Sequence, residues 1–362
     1  MKKVGILTFH CSDNYGAMLQ AYALKTYLRR NNYQADLIRY EPISLLGKHW
    51  LFPYTKQKTP IHTAYWSFKG FVKNLKKGNN FFEQRKNMQA FREKYIYDSD
   101  KKVSKSQLED LDYNTFIVGS DQIWSPSITH GLDSAYFGAF TAYTHKNVIS
   151  YAASMGGKSL PAKYNKDMKE MLKNLNNISV REKEAIEYLK QFTDKEITEV
   201  LDPVFLLRKE DWQVIETKPA ETDYILIYET FPNKDLEDKA KELAKKEGLK
   251  VIRINPVEEA NDPEIIENYT SGPSEFIGYI NNAKYVFTNS FHATAFSIIL
   301  EKQFVVFLLE NIGLRLKNVL ENFDLLDRID YDNLHKEINW EQVDEKYKLL
   351  SKESKNFLLK NI

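Results

Sequence analysis

Residues 4–38 read VGILTFHCSDNYGAMLQAYALKTYLRRNNYQADLI, and this stretch decides the fold class. Residues 4–9 form a short apolar run of strand character. Residues 16–30 carry apolar side chains at Met18, Leu19, Tyr22, Ala23 and Leu28, a helical spacing, and strand character resumes at 35–38. Strand, loop, helix and strand at these lengths predict the opening of a parallel βαβ unit.

Further on, 115–118 and 147–151 read as strands, and 174–179 precedes a periodic helix over 182–192. After LDPVFLL (201–207) the alternation starts again. Strands are expected at 224–228, 250–254, 285–288 and 304–309, with helices at 235–247, 273–281 and 293–300. The expected architecture is α/β, two Rossmann-like domains facing a cleft. The first spans 1–207 and the second 208–340, and a Lys/Glu-rich helix over 341–362 crosses back onto the first. In such sheets ligands sit at the carboxyl ends of the strands.

Bulk properties narrow the function. A chain of 362 residues exceeds what one core usually supports, and 43% hydrophobic content suffices for two. A net charge of +1 argues against nucleic acid as a partner. The single cysteine, Cys11, allows neither an intrachain disulfide nor a cysteine-based zinc cage. The apolar run at 4–9 is too short for a signal core, and no stretch approaches the ~20 residues of a membrane span, so the expected location is cytoplasmic. Residues 48–105 stand apart, with fourteen Lys or Arg against four Asp or Glu and twelve aromatics interleaved. This is a basic, aromatic-rich insertion in the first domain, either a helical subdomain with a solvated basic face or a peripheral membrane-surface contact at the inner face of the membrane.

Four loops carry candidate chemistry. In HCSDNYGA (10–17), Asn14 and Gly16 suit a tight turn, with positive φ an option, before a helix N-terminus fit for an anion; Asp13 is a candidate base or helix cap. The loop lacks a P-loop lysine and a GxGxxG, so neither ATP nor NAD is indicated. In VGSDQIWSP (118–126), Ser120 and Asp121 end a strand. Asp121 is a candidate base or ligand of sugar hydroxyls, and Trp124 a platform for a sugar face or a core residue. In ISVREKEA (178–185), Arg181 precedes a helix start whose dipole disfavours a cation, so it needs an anionic partner. That partner is Glu182, Glu184 or Asp202, or else a bound carboxylate or phosphate. In VFTNSFHATAFSIIL (286–300), His292 stands at the strand-to-helix turn with Ser290 beside it, the N–H groups of Ala293 and Thr294 opening onto the same space.

Six segments in order, NYGAMLQAYAL, VGSDQIW, SYAASMG, SVREKEA, LDPVFLL and TNSFHATAFS, resemble the polysaccharide pyruvyl transferase family, with similarity from Val4 to about Arg328. The resemblance implies a GT-B-like fold and transfer of an enolpyruvyl unit from phosphoenolpyruvate to two hydroxyls of one sugar, releasing phosphate. It further implies a polysaccharide or lipid-linked oligosaccharide of the cell envelope as acceptor, and a reaction needing no metal or organic cofactor. The family's active-site histidine falls on His292, its donor-binding arginine on Arg181, and its Asn-x-Gly turn on Asn14 and Gly16. Two positions depart from the pattern: Ser290 stands where many members carry Arg, and Ala17 where many carry Asp. A second cation for the donor would come from Arg315 or Lys317. Each charged hydrogen bond to the donor is worth roughly 1.5–3 kcal/mol, and a histidine suits proton delivery near neutral pH. Two rival readings stay open at this point, a GT-B glycosyltransferase using a nucleotide sugar and a non-catalytic carbohydrate-binding protein.

Overall fold

The computed structural model describes every residue except 55, 58, 142–145, 257–261 and 309–312. It divides into two compact units. One comprises Met1–Asn79, Gln89–Leu206 and Leu350–Ile362; the other comprises Asn80–Met88 and Leu207–Leu349. The terminal helix Trp340–Asn361 is shared between them, its second half counting with the first unit.

The first unit is built on a six-stranded sheet: β1 (Lys3–Leu7), β2 (Gln34–Leu37), β3 (Thr115–Val118), β4 (Asn147–Ala153), β5 (Asn177–Val180) and β6 (Ile197–Glu199). The strands are ordered β2-β1-β3-β4-β5-β6 and every pair is parallel. The central strands are buried almost throughout, which is why they read as continuous apolar runs and not as alternating ones. The first helix, Tyr15–Arg30, returns the chain from β1 to β2 with twelve buried residues. β1 stops two residues before its expected end. The Thr8 hydroxyl donates to the Ser120 carbonyl (3.0 Å) and accepts from Gln20 (2.7 Å), so side-chain bonds take over where the ladder ends. The helix expected at 182–192 is the shorter Lys183–Leu189, because Glu182 is extended.

The second unit carries β7 (Tyr224–Tyr228), β8 (Lys250–Ile254), β9 (Ile265–Asn268), β10 (Tyr285–Thr288) and β11 (Gln303–Val306), ordered β11-β10-β7-β8-β9 and again all parallel. Its helices include Lys234–Glu247, Pro273–Asn282, Phe291–Ile299 and Leu314–Asn322. The final strand ends earlier than expected, at Val306, and Leu309 lies outside the described residues. The edge strands β6 and β9 have no counterpart in the sequence expectation.

Each sheet has one point where consecutive connections leave in opposite directions, between β1 and β3 in the first and between β7 and β10 in the second. The crevice at the carboxyl ends of such a strand pair is where open α/β sheets bind ligands. In the first unit that crevice is flanked by the loops after Leu7 and Val118, and in the second by the loops after Tyr228 and Thr288. The 48–105 insertion forms the helices Pro60–Lys76 and Asn79–Phe91 and the helical turn Arg92–Ile96. No helix among the described residues is long and apolar enough to cross a membrane.

Candidate active site

All six segments singled out in the sequence lie at carboxyl ends of parallel strands, five in the first unit and one in the second. In the first unit four of the five, all but the one after β1, converge on Arg181. Its guanidinium donates to Asp202 at 2.8 Å and to Glu182 at 3.2 Å, and all three side chains are buried. Ser120 donates to the same Asp202 oxygen at 3.0 Å, and Ser154 to the same Glu182 oxygen at 2.8 Å. Burial acts to lower the Arg181 pKa, but Glu182, Asp202 and Asp121 outweigh it and hold the guanidinium firmly protonated. Of the partners the sequence left open for Arg181, the structure joins it to Glu182 and Asp202. The two backbone turns that carry them follow β5 and β6, so the network also fixes the edge of the sheet.

The loop after β3 depends on glycine. Gly119 has φ +121, and a Cβ there would stand 2.2 Å from the Tyr151 carbonyl oxygen. Ser120 is fully buried and its hydroxyl is committed to Asp202. Asp121 follows with φ +71; its carboxylate accepts from the Gln122 amide at 2.8 Å and lies in the field of Arg181. Trp124 is not a sugar platform. It is wholly buried, stacked on Phe137 at 5.1 Å, with its indole N–H donated to the Tyr136 carbonyl at 2.9 Å. An indole with its donor satisfied inside the core has no face to offer.

In the loop after β1, Asn14 caps the first helix, accepting from the Ala17 amide at 3.0 Å. Neither Asn14 (φ −138) nor Gly16 adopts positive φ, so the turn expected there is an ordinary extended cap followed by a helical first turn. Asp13 forms an ion pair with Arg92 from the insertion, whose Nε also donates to the His10 carbonyl at 3.3 Å. His10 itself is fully buried, which lowers its pKa to about 4 against the opposing pull of Glu41.

In the second unit the β10 strand runs into Asn289, Ser290 and the helix Phe291–Ile299, with His292 as its second residue. Asn289 ties this loop to the one after β7: its side chain accepts from the Thr230 amide (2.7 Å) and donates to the Phe231 carbonyl (2.7 Å). Ser290 is the helix cap. Its hydroxyl accepts from the Ala293 amide at 3.5 Å and its carbonyl from the Thr294 amide at 3.0 Å. The two N–H groups expected to open onto the site are therefore spent inside the first turn. His292 is half-buried, with Phe291 edge-on at 5.1 Å. Arg315, half-buried, is the second residue of the helix Leu314–Asn322 that follows β11, beside β10 in the sheet, whereas Lys317 is exposed.

Sequence reasoning missed Glu229, directly after β7. It is buried beside Arg253, which also pairs with Glu237 (2.7 Å) and Glu267, and its second oxygen accepts from the Asn233 amide at 3.1 Å. Burial pushes its carboxyl up to about 7, with Arg253 pulling it down and Glu237 adding to the rise. The available signal was an acid placed immediately after a fully apolar strand, at the same position in the fold as the other four loops.

Comparison with known proteins agrees with this layout. The model of the family described as polysaccharide pyruvyl transferase matches residues 14–311. No curated protein matches. Among solved structures, a candidate UDP-N-acetylglucosamine 2-epimerase from Listeria monocytogenes aligns at TM-score 0.50 and 11% identity, covering 100% of this chain and 97% of that one. UDP-GlcNAc 2-epimerase from Neisseria meningitidis aligns at 0.48 and 12%, covering 100% of both chains. A glycosyltransferase from Streptomyces sp. SF2575 aligns at 0.41 and 10%, covering 97% of both. The likeness to the first of these is one of fold alone, two Rossmann-like domains of the GT-B kind.

Proposed function

Because the chain belongs to the polysaccharide pyruvyl transferase family, we propose that it transfers an enolpyruvyl unit from phosphoenolpyruvate to two hydroxyls of one sugar, as a cyclic ketal. The sugar belongs to a lipid-linked oligosaccharide, and the enzyme works in the cytoplasm beside the membrane. What carries the reading is the family match over residues 14–311, joined to the observation that the matching segments lie at carboxyl ends of parallel strands, five in the first sheet and one in the second.

The chemistry assigns roles by residue type. Protonation turns the donor's methylene carbon into a methyl group, and one sugar hydroxyl adds to the neighbouring carbon as it loses its proton. A second hydroxyl then loses its proton and displaces phosphate, which departs with the donor's bridging oxygen. His292 is the acid, since a histidine holds and releases a proton near neutral pH. Asp121 is the base. Asp13 is the less suited carboxylate, because it is engaged by Arg92. Asn14, Gly16 and Ser120 shape the first-unit loops, and Ser290 sets the turn that presents His292.

Donor anions need cations. Arg181 is flanked by two carboxylates, with Asp121 nearby, so that cluster carries net negative charge and an incoming anion would compete for the guanidinium. Arg315 stands in the first turn of its helix, where the N-terminal dipole adds to its own charge in favouring an anion. We assign the donor's phosphate to Arg315 and a donor contact through exchange of partners to Arg181. The test is phosphate release from phosphoenolpyruvate against a panel of synthetic and lipid-linked oligosaccharides. Release that depends on acceptor supports the reading. Turnover of a nucleotide sugar with no phosphate release from phosphoenolpyruvate would replace it with glycosyl transfer.

A further inference from the structure

From Lys48 to Phe82 the chain carries seven lysines and not one Asp or Glu. The same stretch holds nine of the sixteen large apolar side chains that stand exposed among the described residues. These two excesses meet on the helix Pro60–Lys76, which Thr59 caps by accepting from the His62 amide, with Pro60 at the first position.

The helix has two faces. Residues Thr63, Ser67, Gly70 and Asn74, at steps of four, three and four, turn toward the segment before it. A Cβ on Gly70 would stand 2.4 Å from the Pro53 ring, Asn74 donates to the carbonyls of Trp50 (3.1 Å) and Leu51 (3.2 Å), and Phe71 packs on Phe52 at 5.5 Å. The opposite face repeats the same helical spacing with Ile61, Tyr65, Phe68, Val72 and Leu75, which are 82, 59, 60, 38 and 53% exposed. Lys69, Lys73 and Lys76 run along one border of this stripe, with Lys69 over the Trp66 ring at 4.9 Å. A helix already anchored by its back face has no folding reason to expose five apolar side chains in a row.

We propose that this face is a docking surface for an anionic lipid bilayer, into whose headgroup boundary the stripe inserts while the flanking lysines meet lipid phosphates. Charge decides the occupant. A second copy of the chain would bring the same lysine-rich, acid-free stretch face to face, and a nucleic acid would satisfy the lysines but leave the aliphatic stripe in water. An anionic bilayer satisfies both. The surface stands on its own geometry; its use, bringing a lipid-carried acceptor to the enzyme, rests on the function proposed above.

The experiment is co-sedimentation of the full chain with vesicles of phosphatidylcholine alone or with about a third phosphatidylglycerol. The expected result is at least about tenfold more binding to the anionic vesicles, lost at about 0.5 M salt. Ile61→Ser/Phe68→Ser/Leu75→Ser lowers binding at least about tenfold with unchanged circular dichroism and Tm, since these side chains are exposed. Lys69→Gln/Lys73→Gln/Lys76→Gln removes the preference for anionic vesicles. Absent or equal partitioning overturns the proposal, and so does a dimer in sedimentation velocity that the serine variant dissolves. Phosphate release on a water-soluble acceptor is measured in parallel without vesicles. Release without vesicle binding overturns the docking surface alone, and vesicle binding without release on any acceptor overturns the enzymatic reading alone.

Discussion

Arg181 and Asp202, which follow neighbouring strands, are joined by a buried 2.8 Å ion pair whose carboxylate oxygen also receives the Ser120 hydroxyl. Arg181→Ala removes the only guanidinium that the described structure places on both Asp202 and Glu182 and leaves two buried carboxylates without it. Breaking such a pair from one side costs about 3–5 kcal/mol. The variant is expected to unfold at a clearly lower urea midpoint and to lose donor binding, both through the missing contact and through the disturbed loop. Arg181→Lys keeps the charge but not the fork, and is expected to recover part of the stability. An unchanged midpoint in Arg181→Ala would show that the network does not anchor the loops.

His292→Gln keeps the size and polarity of the side chain but cannot carry the proton. Phosphate release from phosphoenolpyruvate is expected to fall at least about a hundredfold, the lower range for a positioned acid or base. Because His292 is half-buried and the helix cap is Ser290, the fold is expected to survive, as circular dichroism would report. Turnover within a few-fold of the parent would take His292 out of the mechanism.

The fold was legible where burial writes itself into composition. The runs at 115–118, 224–228 and 285–288 lie in parallel strands buried on both faces, and the structure places all three within the expected bounds. The edge strands β6 and β9 were not legible, because three or four residues of mixed polarity carry no period to read. For the site, a strand-end loop can be recognised from sequence, but the partner of each side chain is a tertiary fact. Arg181 had three acids within reach in sequence, and only the fold selects Glu182 and Asp202. Trp124 looked available because it follows a strand, whereas its indole N–H finds a carbonyl twelve residues on, within the core. Arg92 is one of fourteen basic residues in its segment, and nothing local marks it as the partner of Asp13.

Glu229 gives a pH signature of definite sign. Its carboxyl titrates near 4.5 when unfolded and at about 7 in the folded protein, so the folded state holds an extra proton between those values. Stability from this group is full below the unfolded value and falls as pH rises toward 7. Glu229→Gln is expected to remove that slope and to raise Tm at pH 8 relative to the parent. His10, lowered by burial to about 4, acts with the opposite sign as pH falls from its ordinary value, so the comparison is between variant and parent at each pH. Parallel Tm curves for the two proteins from pH 5 to 8 would assign Glu229 an ordinary titration.

The ion pair between Asp13 and Arg92 separates the two carboxylates offered as the base. Both side chains are largely buried, and Arg92 reaches the loop after β1 from the far end of the insertion. Asp13 is therefore expected to act as the anchor that holds the His10–Asn14 loop, and Asp121 as the group that takes the sugar proton. A double-mutant cycle of Asp13→Ala and Arg92→Ala is expected to give a coupling of about 1–3 kcal/mol in unfolding free energy. Asp13→Asn should then lower stability while leaving kcat within a few-fold of the parent. Asp121→Asn, whose parent carboxylate accepts from the Gln122 amide at 2.8 Å, should leave stability nearly unchanged and lower kcat about a hundredfold or more. The reverse pattern, with kcat lost in Asp13→Asn and kept in Asp121→Asn, would exchange the two roles and require Asp13 to leave Arg92 during turnover.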